Sequence, residues 1–429
     1  MRFSPLFSLL FSSASLASQL YAASYDGKVT ELGLSKSGQG YHLNVLSQTD
    51  NCGPSPSWLM PDGENGMIYC LDEGIDSPNG TLTSFSTLNG TLAKIDQLKT
   101  IAGPVASAFY SAAHAPERQF LVIAHYSGSA VTSYSVNRTT GTFNLSQTFT
   151  FAIPKPGPVP DRQDAPHPHG VVVDPTGHFV LVPDLGADLV RIFRINERTG
   201  KLSEQRPLVT PPGSGPRHGV FWLPQAQETN RAQAQGSKFY LVSELDNMVS
   251  GYDVTYAQNG TMLFSQFYQG STYGGAAAPS GSKAAEIAIA VRLACFLLLP
   301  LRIKQKQSKA KANPCPGSLQ PSNDRLLVSN RGDDTFGAGN DSIAVFSIPG
   351  SDATSTCSRN VSFTGLYPSH GSFPRHFEFS PDGTMVAIAL QNSHSVAVVA
   401  WERNGGFGSL LAQAELGGEV TAVVWGVDA

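Results

Sequence analysis

Short apolar segments recur along the chain, each bounded by glycine, proline, aspartate or asparagine. The clearest unit starts at His169, where two apolar strands flank an Asp-Pro-Thr-Gly turn and an alternating third strand follows a polar loop. The segment that starts at His376 has the same layout, with Ser-Pro-Asp-Gly at the turn. Apolar runs of about four to eight residues between turn residues indicate β-strands. The pattern therefore predicts an all-β protein built from a repeated antiparallel unit.

Six copies of the unit can be followed, and the two chain ends supply parts of a seventh. The other copies begin at His218, at Glu286, near Ser57 and near Ala108. Residues 420–426 resemble a first strand, whereas the segment from Leu20 resembles a second and a third strand. Pairing of the two ends would leave no open sheet edge. We therefore predict a seven-bladed β-propeller closed by pairing of the N- and C-terminal strands. The alternative, a β-sandwich with loose repeats, does not explain complementary halves at the two ends.

Residues 1–17 differ from the repeats. Arg2 precedes an apolar run from Leu6 to Phe11, and small residues, Ser15 and Ala17, follow it. This pattern predicts a signal peptide cleaved after Ala17, with a short buried strand as the alternative. Residues 18–429 then form a single propeller domain.

Seven Asn-x-Ser/Thr sites are compatible with passage through a secretory compartment. They lie at Asn79, Asn89, Asn137, Asn144, Asn259, Asn340 and Asn360. Together with the signal peptide, they predict a secreted glycoprotein.

Residues 291–320 interrupt the repeat that begins at Glu286. The segment carries six Lys/Arg and no Asp/Glu, so its removal would change the formal net charge from −4 to −10. Its apolar part, residues 293–301, is far shorter than the roughly 20 residues that a membrane-spanning helix needs. Two interpretations stay open: a retained in-frame intron, or a surface loop, which a fold tolerates at little cost.

Composition narrows the possible partners. Charged residues are only 14% of the chain and no basic stripe with interleaved aromatic residues is present, so nucleic acid is not an expected partner. Five cysteines show no zinc-site spacing, and Cys52 could form a disulfide with Cys70 inside one repeat. We expect no metal, no cofactor and no membrane contact.

The order of strands in a blade predicts where polar residues meet. A first strand starts on the face where the second strand ends, so residues at these two points gather at one mouth of the central channel. The first group opens the innermost strands and comprises His169, His218, Glu286 and His376. The second group ends the second strands and comprises Asp184, Glu244, Arg331 and Gln391. Arg217 and Arg375, which precede two of the histidines, complete the set.

This set of residues suits a small molecule that carries a carboxylate or hydroxyl groups. Arginine binds a carboxylate through two parallel hydrogen bonds, and histidine exchanges protons near neutral pH. A purely structural role is the alternative for any one of these residues. A polar residue at the start of a strand can simply hydrogen-bond the loops between blades.

The segment Asp164–Gly170 adds a second histidine, His167, two residues before His169. In an extended strand both would share a face, and a metal site completed by Asp164 or Glu244 is conceivable. No further ligand follows at a metal-site spacing, so a proton-transferring and positioning pair is favoured over a metal. The chain also has no Gly-x-Ser-x-Gly elbow and no cysteine beside a histidine, which leaves water or a substrate group as the nucleophile.

The linked motifs PHPHG, GPRH, SEL, SNRGDD and PRHF resemble those of the seven-bladed lactonase family, which includes 6-phosphogluconolactonase and fungal carboxy-cis,cis-muconate cyclase. The resemblance extends from about Leu20 to Gly426, apart from residues 291–320. It implies that His169, Glu244, Arg217 and Arg331 form the active site. By this resemblance His169 would be the general base or acid, Glu244 its proton-transfer partner or orienting group, and the arginines the ligands of a substrate anion and of the developing oxyanion.

Three functions follow as alternatives. The first is hydrolysis or formation of a small carboxylated or sugar lactone, as in 6-phosphogluconolactonase. The second is a muconate-lactonising cyclase, in which an internal carboxylate adds across a double bond. The third is a non-catalytic propeller that binds a protein partner. For the first two, the remaining residues of the set would bind substrate, namely His167, His218, Glu286, Arg375, His376 and Asp184.

Overall fold

The computed structural model describes residues 18–223, 234, 236–258, 260–290, 324–348, 360–402 and 406–426. The predicted signal peptide, residues 1–17, and the insertion, residues 291–320, lie outside these ranges. Within them the chain is built from β-strands, with two single-turn 3-10 helices at Gly63–Asn65 and Leu88–Gly90. No helix in these ranges is both long and apolar enough to cross a membrane.

The strands are numbered in chain order. They are β1 (Ser18–Ser24), β2 (Lys28–Ser37), β3 (Gly40–Thr49), β4 (Pro56–Asp62), β5 (Met67–Asp72), β6 (Thr81–Ser86), β7 (Ala93–Lys99), β8 (Pro104–Ala112), β9 (Ala115–His125), β10 (Ala130–Asn137), β11 (Thr142–Thr150), β12 (Val172–Val173), β13 (Phe179–Asp184), β14 (Leu189–Ile195), β15 (Leu202–Val209), β16 (Pro216–Trp222), β17 (Lys238–Ser243), β18 (Met248–Tyr256), β19 (Met262–Ser271), β20 (Lys283–Ile289), β21 (Asp324–Arg331), β22 (Ser342–Ile348), β23 (Ser362–Pro368), β24 (Pro374–Phe379), β25 (Met385–Leu390), β26 (Ser395–Glu402), β27 (Gly406–Glu415) and β28 (Val420–Trp425).

These strands form seven four-stranded antiparallel sheets, which are the blades of a propeller. Blade 1 has the order β28-β1-β2-β3, and each of blades 2 to 7 uses four consecutive strands, from β4–β7 to β24–β27. Contacts between neighbouring blades run around the molecule and return from blade 7 to blade 1 through β24 and β28. The predicted seven-bladed propeller is confirmed.

Burial explains why inner and outer strands have different sequences. Every residue of β13 and of β22 is buried, because these strands are covered on both faces by neighbouring blades. Such strands read as continuous apolar runs. The outermost strand β15 has one buried residue and otherwise mixes half-buried with exposed positions, because one of its faces and its outer edge are solvated.

The apolar core of the described residues consists of layers between blades. Each of its seven clusters joins two neighbouring blades, and the cluster that joins blades 7 and 1 completes the circle. The layer between blades 4 and 5, for example, packs Phe179 and Ile192 with Phe239 and Tyr252. Each blade is therefore held by its two neighbours.

Blade 1 closes the ring by joining the two ends of the chain, as predicted. Leu20 pairs with Trp425, and Ala22 pairs with Val423. The hydroxyl of Thr421 donates hydrogen bonds to carbonyl oxygens of its own blade and of blade 2, at 3.1 and 2.7 Å. The closing strand is thus fixed to both of its neighbours.

A disulfide joins Cys52 to Cys70, the pairing that the sequence left open. Both residues are fully buried in the apolar layer between blades 1 and 2. The bond connects the segment before blade 2 to the second strand of that blade. It therefore stabilises the part of the ring next to the closing strand.

Replacing both Cys52 and Cys70 with alanine should lower the free energy of unfolding by about 3 kcal/mol. The bond spans 18 residues, and a crosslink of that length restricts the unfolded chain. Guanidinium unfolding, followed by tryptophan fluorescence, measures the loss. Wild-type protein unfolded with a reductant is the matched control and should lose a similar amount. Equal unfolding midpoints for the oxidised wild type and the double variant would contradict this expectation.

Candidate active site

The polar residues that begin innermost strands lie beside those that end second strands. Pro216, the first residue of β16, pairs with Ser243, the last residue of β17, so Glu244 lies next to the start of β16. Lys283 pairs with Arg331 in the same way in blade 6. Antiparallel pairing thus brings residues of several blades to one mouth of the ring.

A β-bulge at the start of β16 brings two consecutive side chains to this mouth. Pro216 pairs with Ser243 and His218 pairs with the adjacent residue, Val242. Arg217 therefore has no paired residue on the facing strand. Arg375 has the same place in β24. A bulge changes the side-chain direction that strict alternation would give. Arg217 and His218 therefore both contact buried carboxylates at the mouth.

Glu244 is the centre of a buried charge cluster, and its side chain is only 1% exposed. Its Oε1 lies 2.6 Å from Nη2 of Arg162, and its Oε2 lies 3.1 Å from Nε of Arg217 and 2.8 Å from Nη2 of Arg331. Burial raises the pKa of Glu244, but the charges of Arg331, Arg162 and Arg217 outweigh burial and lower this pKa to about 2. Glu244 is therefore ionised at neutral pH and orients three guanidinium groups.

Three guanidinium groups around one carboxylate leave an excess of positive charge. Burial, and then the charge of Arg331, lower the pKa of Arg217 to about 9. Nη1 of Arg217 donates a 2.8 Å hydrogen bond to the carbonyl oxygen of Ala285, and the guanidinium of Arg331 lies 5.0 Å from the centroid of the Phe373 ring. These contacts fix both guanidinium groups. Fixed, buried and incompletely neutralised arginines are suited to bind a carboxylate or a phosphate.

His218 and Glu286 form a second buried hydrogen-bonded pair at the mouth. Nδ1 of His218 lies 2.9 Å from each carboxylate oxygen of Glu286. His376 approaches the same carboxylate, with its Nε2 3.9 Å from Oε2 of Glu286. Trp58 contacts both histidine rings edge to face, with centroids 5.7 Å from His218 and 5.0 Å from His376. Burial raises the pKa of Glu286, and the facing histidines and Arg217 lower it to about 2, so the carboxylate is ionised.

His169 lies beside this pair and has a free nitrogen. Its Nδ1 is buried and has no hydrogen-bond partner among the described residues. Its ring centroid is 5.2 Å from that of His218. Burial, followed by the charge of Arg217, holds the pKa of His169 well below its ordinary value. His169 is therefore a neutral imidazole that can accept a proton.

Glycine is required after His169 because the loop passes close to blade 5. A Cβ atom at Gly170 would lie 2.6 Å from the carbonyl oxygen of Arg217 and 3.1 Å from Cδ2 of His218. The backbone oxygen cannot move aside without breaking the start of β16. The glycine thus lets His169 approach His218.

Arg375 belongs to another polar group, formed by blades 1, 2 and 7. Its Nη2 lies 3.5 Å from Oε2 of Glu73, which also accepts a 2.6 Å hydrogen bond from the hydroxyl of Tyr25. The charge of Arg375 contributes to the low pKa of His169, so the two groups interact electrostatically. The carboxylate of Glu73 and the phenol of Tyr25 offer hydrogen-bonding groups for hydroxyls of a ligand.

His167 and Asp184 do not offer free groups to the mouth. Both ring nitrogens of His167 are used, at 2.9 Å from the carbonyl oxygen of Tyr126 and 2.9 Å from Oδ1 of Asp164. Asp184 is fully buried, accepts the backbone N–H of His167 at 2.7 Å and pairs with Arg191 at 2.8 Å. These contacts hold the loop that carries His169. For both residues these contacts indicate a role in loop positioning, and direct substrate binding by them stays a prediction.

Four residues that lie at the mouth were not identified from the sequence. Three of them occupy a recognisable position in the repeat. Tyr25, Glu73 and Tyr126 directly follow the second strand of their repeats, as Glu244 does in blade 5. Comparing this one position in every repeat would have identified them. Arg162 lies in the long irregular connection between β11 and β12, where no repeat position predicts it.

The opposite face carries an alternative candidate site. A depression of about 380 Å³ is lined by turns of blades 3 and 4, including His114, Arg194 and Glu197. These side chains are 61%, 41% and 34% exposed, so their charges are screened by solvent. Chemistry that depends on desolvated charge therefore favours the mouth that holds Glu244. Within the described ranges, no three His, Cys, Asp or Glu side chains are grouped so that they could hold a metal ion.

Comparison with known proteins gives a family and several relatives. The chain matches the family model described as lactonase, 7-bladed beta-propeller, over residues 19–294 and 302–425. A probable 6-phosphogluconolactonase from Arthroderma benhamiae is 30% identical over 353 residues, which cover 82% of this chain and 75% of the relative. A 6-phosphogluconolactonase from Formosa agariphila is 24% identical over 65% of this chain and 63% of its own length.

Solved structures agree with the fold. A putative 6-phosphogluconolactonase from Bacteroides fragilis superposes with a TM-score of 0.70 at 19% identity, covering 97% of this chain and 99% of its own. A periplasmic gluconolactonase from Pseudomonas aeruginosa gives 0.66 at 23% identity, covering 95% and 99%. At these identities the similarity shows the propeller fold alone.

Changing Glu244 to glutamine should destabilise the fold by about 3–5 kcal/mol, because the buried guanidinium groups of Arg217 and Arg331 and the half-buried one of Arg162 lose their counter-charge. The Glu244 pKa is lower in the folded chain than in the unfolded chain, so its contribution is complete above about pH 4.5 and is lost as pH falls toward 2. Urea unfolding at pH 7 and pH 3 measures both effects.

The matched control is Asp253→Asn, which removes a half-exposed carboxylate that pairs with Lys238. This variant should lose less than about 1 kcal/mol. The importance attributed to Glu244 would be wrong if the two variants were equally stable at pH 7.

Proposed function

The chain belongs to the family of seven-bladed β-propeller lactonases, and we propose that its channel mouth hydrolyses a small lactone that carries a carboxylate or phosphate. One observation carries the proposal. The excess positive charge of Arg162, Arg217 and Arg331 lies near a neutral histidine with a free nitrogen. Anion binding and proton acceptance thus occur in one buried site, as hydrolysis of an anionic lactone requires.

Arg217 and Arg331 would bind the substrate anion and stabilise the negative charge that develops on the lactone carbonyl oxygen. They are buried and already oriented by Glu244, so little reorganisation is needed when charge develops. Glu244 is the orienting group of the two roles considered for it, because a carboxylate with a pKa of about 2 is a poor proton acceptor. His169 would remove a proton from the attacking water.

The relatives favour hydrolysis over cyclisation and over a purely binding role. The relatives described above have names that denote lactonases. A binding propeller also gives no reason to place two buried arginines, two half-buried arginines and three buried histidines at one mouth, since each buried charge costs desolvation energy. Sugar lactones that carry a carboxylate or a phosphate are the first candidates, with 6-phosphogluconolactone as the phosphorylated member and glucono-1,5-lactone as an uncharged comparison.

We also propose that the chain is exported and glycosylated. Cleavage after Ala17 would leave β1 intact, because this strand starts at Ser18. The Cys52–Cys70 disulfide is typical of oxidising compartments. The sequon asparagines Asn79 and Asn144 are exposed, as glycan attachment requires. Export would favour an unphosphorylated substrate, because sugar phosphates are intracellular.

The proposed activity is tested with 6-phosphogluconolactone, glucono-1,5-lactone and carboxymuconate assayed in parallel. Arg331→Ala should lower kcat/KM for the hydrolysed lactone by about 10²–10³-fold, since it removes a charged donor to the oxyanion. His169→Ala should lower kcat by about 10²–10⁴-fold. Turnover of carboxymuconate alone would identify the cyclase instead.

Arg138→Ala is the matched control, because Arg138 pairs with buried Asp62 at the end of β4, away from the mouth. It should reduce thermal stability and leave kcat/KM within about twofold of wild type. If Arg331→Ala and His169→Ala retain full activity on every substrate that the wild type hydrolyses, the proposed site is wrong.

Expression in a secreting eukaryotic host tests the proposed export. The secreted chain should begin at Ser18 by N-terminal sequencing, because the signal peptide is cleaved after Ala17. Enzymatic removal of N-linked glycans should reduce its mass. A full-length chain that begins at Met1 and stays inside the cell would contradict the proposal.

A further inference from the structure

The His218–Glu286 pair has the geometry of an oriented proton donor. Both carboxylate oxygens of Glu286 lie 2.9 Å from Nδ1 of His218, so this nitrogen carries the hydrogen that the carboxylate accepts. The backbone N–H of Ile287 also donates to Oε1 of Glu286 at 3.0 Å and holds the carboxylate in place. The ring of His218 is thus fixed from the Nδ1 side.

The other nitrogen of the ring is buried and uncommitted. Nε2 of His218 has no hydrogen-bond partner among the described residues. Trp58 packs edge to face against the ring, and His169 does so from another direction, with centroids at 5.7 and 5.2 Å. A buried polar atom without a partner costs free energy unless a ligand satisfies it. The arrangement therefore leaves one nitrogen of an oriented imidazole for a bound molecule.

His169 and His218 are neighbours with opposite electrostatic surroundings. Four groups act on His169 through their positive charge, and all of them disfavour its protonation. They are Arg217, His218, Arg375 and Arg331. Burial is the largest influence on His218 and lowers its pKa overall, but the charge and the hydrogen bond of Glu286 act in the opposite direction and favour the protonated ring. Adjacent groups with separated proton affinities divide into a base and an acid.

We propose that His218 is the general acid of the lactone reaction, with Glu286 as its positioning residue, while His169 is the base. This inference rests on the proposed function and adds to it the group that protonates the leaving oxygen. Neither His218 nor Glu286 had this role in the sequence-based assignment, which placed both among the substrate-binding residues.

The proton transfers balance in this scheme. His169 takes a proton from water as the water oxygen forms a bond to the lactone carbonyl carbon. The ring C–O bond then breaks, and His218 gives its Nε2 proton to the departing oxygen, which becomes the hydroxyl of the product. His169 is left protonated and His218 neutral, and one proton moved from His169 to His218 restores the starting state.

Several titratable or charged groups face His218 from the elements packed around it. They are Glu286 from β20, Arg331 from β21, His376 from β24, Arg217 from its own strand and His169 from the loop before β12. Glu286 is the anion in this group. Removing its charge therefore lowers the pKa of His218, and the acid becomes deprotonated at a lower pH.

The test is the pH dependence of kcat/KM for Glu286→Gln. The alkaline limb, which reports deprotonation of the acid, should move to lower pH by about 1–3 units, because an adjacent opposite charge shifts a pKa by that amount. Glu378→Gln is the matched control. This half-buried carboxyl lies on β24 and accepts the N–H of Trp425 at 2.8 Å, and the same substitution there should leave the alkaline limb in place.

A second measurement does not depend on catalysis. NMR titration of histidine-labelled protein, with His218 assigned through His218→Gln, should give a lower pKa for His218 in Glu286→Gln than in wild type. If the NMR pKa falls and lactones are turned over but the alkaline limb stays fixed, His218 is not the acid and this inference is overturned. If wild type turns over no lactone, the proposed function itself fails, whatever the NMR titration gives.

Discussion

The pairing of β28 with β1 is the interaction on which the site depends. The residues at the mouth come from different blades, and neighbouring blades are joined by apolar layers and by a few hydrogen bonds and ion pairs. An open chain of blades could change its curvature and separate Arg217 of blade 5 from Arg331 of blade 6 and Arg375 of blade 7. Hydrogen bonds between the two chain ends remove this freedom. The distances among the buried charges are therefore set by ring closure as much as by local structure.

Burying so many charges is costly, and the structure offsets the cost unevenly. Glu244 faces three arginines at ion-pair distance, yet one carboxylate cannot neutralise three guanidinium groups. Glu286 satisfies His218, yet Nε2 of that ring has no partner among the described residues. The uncompensated remainder, positive charge on one side and unpaired imidazole nitrogens on the other, is what a substrate can interact with.

The sequence predicted the number of blades, the ring closure and the mouth at which polar residues meet, because these follow from repeat phase and strand direction. It did not predict which of these polar side chains are already engaged by neighbouring residues and which can contact a ligand. Asp184 and Glu244 both occur near the ends of second strands, but Asp184 is engaged by Arg191 and by a backbone N–H. Alternation along β16 would also have separated Arg217 from His218, and only the bulge in the ladder brings both to the mouth. Arg162 lies in an irregular loop, and the repeat of apolar and polar residues does not predict where the side chains of such a loop lie.

The bulged residue of the innermost strand shows how a contact between blades can also belong to the candidate active site. In blade 2 this position is Ser57, whose hydroxyl donates to the carbonyl oxygen of Pro104 in blade 3. In blade 1 Thr421 makes the same kind of bond to blade 2. Arg217 keeps such a bond with Nη1, to Ala285 of blade 6, and directs Nε toward Glu244. A longer side chain thus preserves the contact between blades and adds a charge to the mouth, so the ring can acquire chemistry there without losing the hydrogen bonds that hold it closed.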